Sequence, residues 1–227
     1  MMMFPRATRL LIASALATAS LATEASVTTY SSRTSFESLG SISYNYGFDD
    51  LDTSFAATGG TGLKFMADPW TTHGVTYNTG SNLVVGPSLG LGLTSNVFTS
   101  NSSNPGGLVS GMIGGSYNLF GFDLGTLLGA SLANISLSTN LGTYSFLNQA
   151  SPVSPASSFF GFSAGAGEHF TSFSISDVTA GAVPALDNVT LGSVAVSAIP
   201  EPETIALLLP GLLLLGLASR RRGSRPA

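Results

Sequence analysis

The sequence predicts an all-β fold, an antiparallel β-sandwich of jelly-roll-like kind. Three observations carry this. Apolar and aromatic residues alternate with small polar ones over short runs, as in SISYNYGF and TSFSIS, which is the period of a half-buried strand. Gly, Pro, Asn and Ser punctuate the runs at short intervals, as in sandwiches and barrels. No amphipathic helical pattern extends beyond ten residues, so about eight short strands are expected.

Residues 1–25 are set aside first. Arg6 and Arg9 precede an apolar, small-residue stretch at residues 10–19, the outline of a secretory signal peptide. Small residues allow a cut after Ala19, Ala22 or Ala25. The apolar stretch is about half of the ~20 residues a spanning helix needs.

The domain proper is expected over residues 26–197. In SISYNYGF, residues Ile42, Tyr44, Tyr46 and Phe48 share one face, and FDDLD reads as the exit loop. GVTYNTGSNLVVG reads as a hairpin turning at Asn-Thr-Gly. Residues 95–107, rich in Ser and Asn and ending in Asn104-Pro105-Gly106, read as a surface loop. Two or three strands follow, with stripes Phe120/Phe122/Leu124, Ala133/Ile135/Leu137 and Tyr144/Phe146; a short glycine-broken helix over residues 124–132 is the alternative for part of this stretch. SPVSPASS is a connection, Phe173 and Ile175 face inward in the next strand, and VTLGSVAVSAI supplies the last.

Composition excludes some functions. Residues 26–199 hold two basic side chains, Arg33 and Lys64, against nine acidic ones, a net of −7, so a nucleic-acid partner has no electrostatic footing. Cysteine is absent, which removes disulfides and thiolate metal sites. The 14 phenylalanines and 6 tyrosines argue against disorder.

The C-terminal stretch IPEPETIALLLPGLLLLGLASRRR joins Pro200-Glu201-Pro202, an uncharged apolar run at residues 205–218, and Arg220, Arg221 and Arg222. The run reads as a single transmembrane helix whose arginines stay in the cytoplasm. At 1.5 Å per residue it spans roughly 21 Å, against a hydrocarbon core near 30 Å, and Pro210-Gly211 interrupts it; this suits a temporary anchor. Residues 198–225 resemble the PEP-CTERM sorting signal of bacterial exported proteins, with Pro210 inside the helix as a departure. FFGFSAGAGEHFTSFSISDV followed by Asp187-Asn188 is similar to the last strands of the ectodomains that carry this signal. The resemblance implies a substrate of an exosortase; the N-terminal segment makes a signal peptidase an earlier partner, and no catalytic site is expected. The resemblance further implies a transient inner-membrane anchor, then a place on the cell surface or in the exopolysaccharide biofilm matrix of a Gram-negative bacterium.

The alternative function is a carbohydrate-binding surface module with extracellular polysaccharide as its partner. Trp70, the only tryptophan, is then a platform for a sugar ring; the competing reading packs it over the core edge. The least favoured function is a hydrolase. GFSAG, residues 161–165, has the G-x-S-x-G pattern around Ser163, but a helix should follow it, and an acid and then a histidine downstream. Here TSFSIS reads as strand, and His169 precedes Asp187. His73 and His169 are too few for a multi-histidine metal centre and are expected at the surface. No cofactor is required, although Asp49, Asp50 and Asp52, with Asp187, could offer oxygens to calcium.

Overall fold

The computed structural model describes residues 26–100, 108–179 and 181–194, all within the unit Glu24–Ala195. Along the chain come β1 (Val27–Tyr30), α1 (Arg33–Glu37), β2 (Ser41–Tyr46), β3 (Leu63–Phe65), β4 (Trp70–Thr72), β5 (Val75–Tyr77), β6 (Asn82–Val85) and β7 (Val97–Ser100). They are followed by β8 (Leu108–Ile113), β9 (Leu119–Thr126), β10 (Ser131–Thr139), β11 (Thr143–Ser151), β12 (Ser158–Ala164), β13 (Phe170–Asp177) and β14 (Pro184–Ser193). Eight strands form one sheet in the order β1-β12-β9-β14-β7-β6-β3, with β2 also on β14, and six form the other in the order β11-β10-β13-β8-β5-β4. The expected antiparallel sandwich is therefore present.

Alternation places the core. Phe120, Phe122 and Leu124 of β9 and Phe162 of β12 face Ile135 and Leu137 of β10 and Phe173 and Ile175 of β13, all at most 3% exposed. Rings meet across the gap: Phe120 lies 5.1 Å from Phe173 and Phe146 of β11 lies 5.0 Å from Phe162.

The other face of β9 and β12 is covered by α1. Ser32 caps this helix, its hydroxyl accepting from the Ser35 amide at 3.3 Å. Gly121 and Gly161 stand opposite each other in the ladder and leave a slot for fully buried Phe36. A Cβ on Gly161 would come within 2.7 Å of the Phe36 ring. Arg33 binds down beside it, 3.1 Å from the Asp123 carboxylate, and donates to the Asn188 carbonyl and the Thr190 hydroxyl. Its guanidinium also lies 4.5 Å from the Phe159 ring centre.

Four expectations change. The stretch at residues 75–85 is not a hairpin: β5 joins the six-stranded sheet and β6 the eight-stranded one. The chain crosses between the layers at a corner held by buried Asn82, whose amide donates to the Ala67 and Tyr77 carbonyls and whose Oδ1 accepts from the Thr79 hydroxyl. Within the expected loop at residues 95–107, residues 97–100 are a fully buried strand paired along β6; residues 101–107 lie outside the described residues. The alternative helix at residues 124–132 is strand and turn.

The expected transmembrane helix is the fourth correction. No helix among the described residues is long and apolar enough to cross a membrane, α1 having five residues; residues 205–218, to which the helix was assigned, lie outside the described residues.

One irregularity marks the edge of the six-stranded sheet. Between the pairs Ala133–Gln149 and Ile135–Phe146, Leu147 and Asn148 of β11 stand against Asn134 alone. This is a β-bulge, with Asn148 at φ 56° and its amide donating to Asn134 Oδ1 at 3.0 Å.

Truncating Phe36→Ala is expected to cost about 3–5 kcal/mol, the range for emptying a buried phenylalanine site. Gly161→Ala destabilises too, because the ring would be pushed from its slot. Urea denaturation midpoints of the two variants test both.

Candidate functional site

The two-residue turn His73-Gly74 joins β4 to β5. Thr72 and Val75 are paired on either side, and both turn residues have positive φ, 45° and 79°, the combination a tight hairpin with twisted strands requires. The second position needs glycine for a further reason. A Cβ there would meet Leu191, Tyr44 and Tyr117 at 3.1, 3.5 and 3.6 Å.

The turn thus places His73 on the rim of the sandwich beside tyrosines from two other segments. The imidazole stacks on Tyr46, 4.0 Å between centres and 20° between planes, and meets Tyr44 edge-on at 5.9 Å. Tyr44 also meets Tyr117, from the connection between β8 and β9, edge-on at 6.1 Å. Tyr46 is buried, whereas Tyr44 is 37% exposed and His73 is exposed. Polar atoms border the rings: the Tyr46 hydroxyl donates to Asp50 at 2.7 Å, and the Thr72 hydroxyl lies 2.7 Å from His73 Nδ1. Burial first, then the Asp50 carboxylate, raises the Tyr46 phenol above its ordinary range, so it stays a donor at neutral pH.

Trp70 stands behind this patch. It is half-buried, stacked on Tyr77 at 5.5 Å and on Phe98 at 5.8 Å. It packs over the core edge, and its contact with the patch is through Tyr46 at 6.5 Å.

The remaining sequence candidates do not assemble. Ser163 lies within β12, paired to Thr28 on one side and Leu119 on the other; a turn and then β13 follow, so the strand–turn–helix of a nucleophile elbow is absent there. His169 uses its amide to bond Asn140 Oδ1. Asp50 binds Tyr46, Asp52 accepts from the Ser54 amide, and Asp49 accepts from the Asn96 amide. Asp187 accepts from the Ser95 hydroxyl and the Asn188 amide. Burial pushes its carboxyl up to about 6, with the nearby Asp49 and Asp123 charges adding to the rise and the two hydrogen bonds offsetting part of it. Only Asp49 and Asp187 of the four come together, across Gly47. Among the described residues no three His, Cys, Asp or Glu gather as a metal would need.

Of the cavities, one of about 30 Å³ beside Asp123, Asp187 and Ser95 has room for a water molecule. Another of about 370 Å³ is walled mainly by leucine and valine side chains, among them Leu63, Leu83, Val85 and Val183, with Thr99 and Ser100 as its polar lining.

No family model matches the chain. No curated protein matches it in sequence. Among solved structures it is similar to the CBM22-1 xylan-binding domain of Xyn10C from Paenibacillus barcinonensis, at 11% identity and a TM-score of 0.39, over 68% of this chain and 96% of that one. It is also similar to CBM29_1, a family 29 carbohydrate-binding module from Piromyces equi, at 11% identity and a TM-score of 0.31, over 75% and 91%. Likenesses this distant carry no argument about ligand or mechanism.

The sorting-signal reading is corrected accordingly. Pro200, Glu201, Pro202, Arg220, Arg221 and Arg222 lie outside the described residues, and no PEP-CTERM or other family model matches the chain. With that reading go the exosortase and signal-peptidase partners, the transient inner-membrane step, and the role of an exosortase-processed matrix protein.

Asp177, at the end of β13, is 4% exposed, and neither carboxylate oxygen has a hydrogen-bond partner among the described residues. Burial pushes its carboxyl up to about 6. A folded-state value above the unfolded one means the protonated form is favoured by folding; that contribution is full below pH ~4 and lost as pH rises through 6. Asp177→Asn is therefore expected to raise the melting temperature at pH 8 and to leave it unchanged at pH 4, as scanning calorimetry at the two pH values would record.

Proposed function

We propose that the domain is a carbohydrate-binding surface module without catalysis of its own, and that it takes an uncharged polysaccharide on the rim formed by Tyr44, His73 and Tyr117. One observation carries this: an exposed aromatic patch, fixed from behind by Tyr46 and Trp70 and bordered by the Thr72 hydroxyl and the Asp50 carboxylate. Aromatic faces accept the apolar C–H side of a sugar ring, and a few placed polar groups orient its hydroxyls. Trp70 serves as the buttress rather than the platform.

Charge selects the polymer class. Residues 26–194 carry a net of −7, which repels polyuronates and sulfated glycans and leaves neutral chains favoured. The absence of catalysis is supported by Ser163 being held within β12, paired to strands on both sides. The solved modules named above share the proposed class; the rim of this chain carries it.

Affinity electrophoresis of the full chain against neutral and anionic polysaccharides is the test. Retardation is expected on at least one neutral polymer and none on polyuronates. The double variant Tyr44→Ala, Tyr117→Ala is expected to weaken binding at least tenfold, about 1.4 kcal/mol, with an unchanged circular dichroism spectrum. Equal retardation of the double variant, or none of the wild type on any neutral polymer, rejects the proposal.

A further inference from the structure

The alternation that buries Ile135, Leu137, Phe173 and Ile175 turns their neighbours outward, and on the six-stranded sheet most of those neighbours are hydroxyls. The register sets them in rows across the strands. One row runs through Thr71 (β4), Thr76 (β5), Met112 (β8), Ser172 (β13), Ser138 (β10) and Thr143 (β11). Two residues further from the rim, a second runs through Ser110, Ser174, Ser136 and Ser145. All are half-exposed or exposed. The first row is tied at both ends, where the Thr71 and Thr76 hydroxyls lie 2.9 Å apart and those of Ser138 and Thr143 3.2 Å apart.

No strand residue turned outward on this face carries a charge, in a domain with nine acidic side chains. The acids on or beside these strands point inward instead. Asp177 is 4% exposed and Glu168, just ahead of β13, is 3% exposed; the Glu168 carboxylate accepts from the Thr139 and Tyr144 hydroxyls and the Ser26 and Gly165 amides.

Chemistry narrows the partner. A nucleic acid needs basic groups, a membrane surface needs basic or bulky apolar ones, and a protein partner needs a dehydrated apolar centre. The first row offers hydroxyls, which both donate and accept, and Met112, 60% exposed, as one soft apolar contact. A neutral polyhydroxyl chain matches it in charge and in hydrogen-bonding character. Length selects the shape, because five inter-strand gaps of ~4.8 Å make a straight track of about 24 Å. The track starts beside the rim: the Thr72–Val75 pair alone separates Thr71 and Thr76 from the His73-Gly74 turn.

We propose that the first row extends the rim site, and that the polymer taken is a linear neutral polysaccharide in extended, ribbon-like form, bound along its length rather than at an end. The rim holds one sugar by its ring, and the row hydrogen-bonds the hydroxyl edge of those that follow. This rests on the rim reading, which fixes where the polymer enters. Each such bond replaces one to water and adds little, so affinity accumulates with the number of sugars in contact.

The test is NMR titration of the nitrogen-labelled full chain with cello- and manno-oligosaccharides from the disaccharide upward, and affinity electrophoresis on glucomannan, with flexible dextran as the neutral control. Affinity is expected to climb with length and to level off once the oligosaccharide exceeds about 24 Å, and glucomannan to retard the protein more than dextran does. The triple variant Thr76→Val, Ser138→Ala, Ser172→Ala is expected to bind glucomannan about tenfold more weakly, the worth of one or two net hydrogen bonds, and to bind the disaccharide as the wild type does. A disaccharide as tight as the longer chains, or a triple variant that holds glucomannan unchanged while Tyr44→Ala, Tyr117→Ala loses it, overturns this inference and leaves the rim reading standing. Failure of the wild type to bind any of these neutral sugars rejects the rim reading and the extension with it. A monomer–dimer equilibrium in sedimentation that the triple variant abolishes makes the face a self-association surface and also overturns the inference. Should the triple variant not fold, the wild-type length series decides alone.

Discussion

The rest of the molecule depends on a stack of aromatic rings that joins the two sheets. Tyr77 of β5 lies 4.3 Å from Phe98 of β7, Phe98 lies 5.5 Å from Phe48, and Trp70 of β4 covers both Tyr77 and Phe98. The Tyr77–Phe98 and Trp70–Phe98 contacts cross from one layer to the other, while Trp70 and Tyr77 are paired neighbours within the six-stranded sheet. In a chain without cysteine and with 9% charged residues, such packing replaces disulfides and ion-pair networks as the constraint on how the layers meet. It also explains the rim. Because Trp70 is fixed, β4 is fixed, and the His73-Gly74 turn can only rise beside Tyr44 and Tyr46.

Much of the sandwich was legible because strand alternation is a local signal. Phe120, Phe122 and Leu124, and again Phe173 and Ile175, announced their faces, and the structure buries them there. Two errors have separate physical causes. The residues of β7 read as loop because Asn, Ser and Thr dominate their surroundings, yet Thr99 satisfies its hydroxyl on the Pro184 carbonyl and the strand is buried. β5 and β6 read as a hairpin because nothing local says which layer a strand joins; Asn82, bonding three backbone segments, decides it.

The candidate site was less legible, since Tyr44, His73 and Tyr117 are far apart in sequence and meet only through the fold. A partial signal existed: WTTHGVTY alternates on both sides of His-Gly, a tight-hairpin pattern. Trp70, the residue that composition singles out, packs over the core edge against Tyr77 and Phe98. Glu168 had no signal at all, being one acid among glycines whose donors come from four separate segments. The C-terminal motif misled for the opposite reason: a vivid local pattern invited a function for the whole chain that no family model supports.

The bulge at Leu147-Asn148 has a bearing on solubility. β11 is the outermost strand of its sheet, nine residues long, with no lysine, proline or acid in its sequence, and an uncharged edge of that length invites another strand to add to it. The domain's two basic side chains are elsewhere. By interrupting the backbone spacing in mid-strand, the bulge breaks the free edge into two short pieces, neither long enough to template a partner. A protein poor in charge can thus guard itself against polymerisation by the shape of its backbone alone.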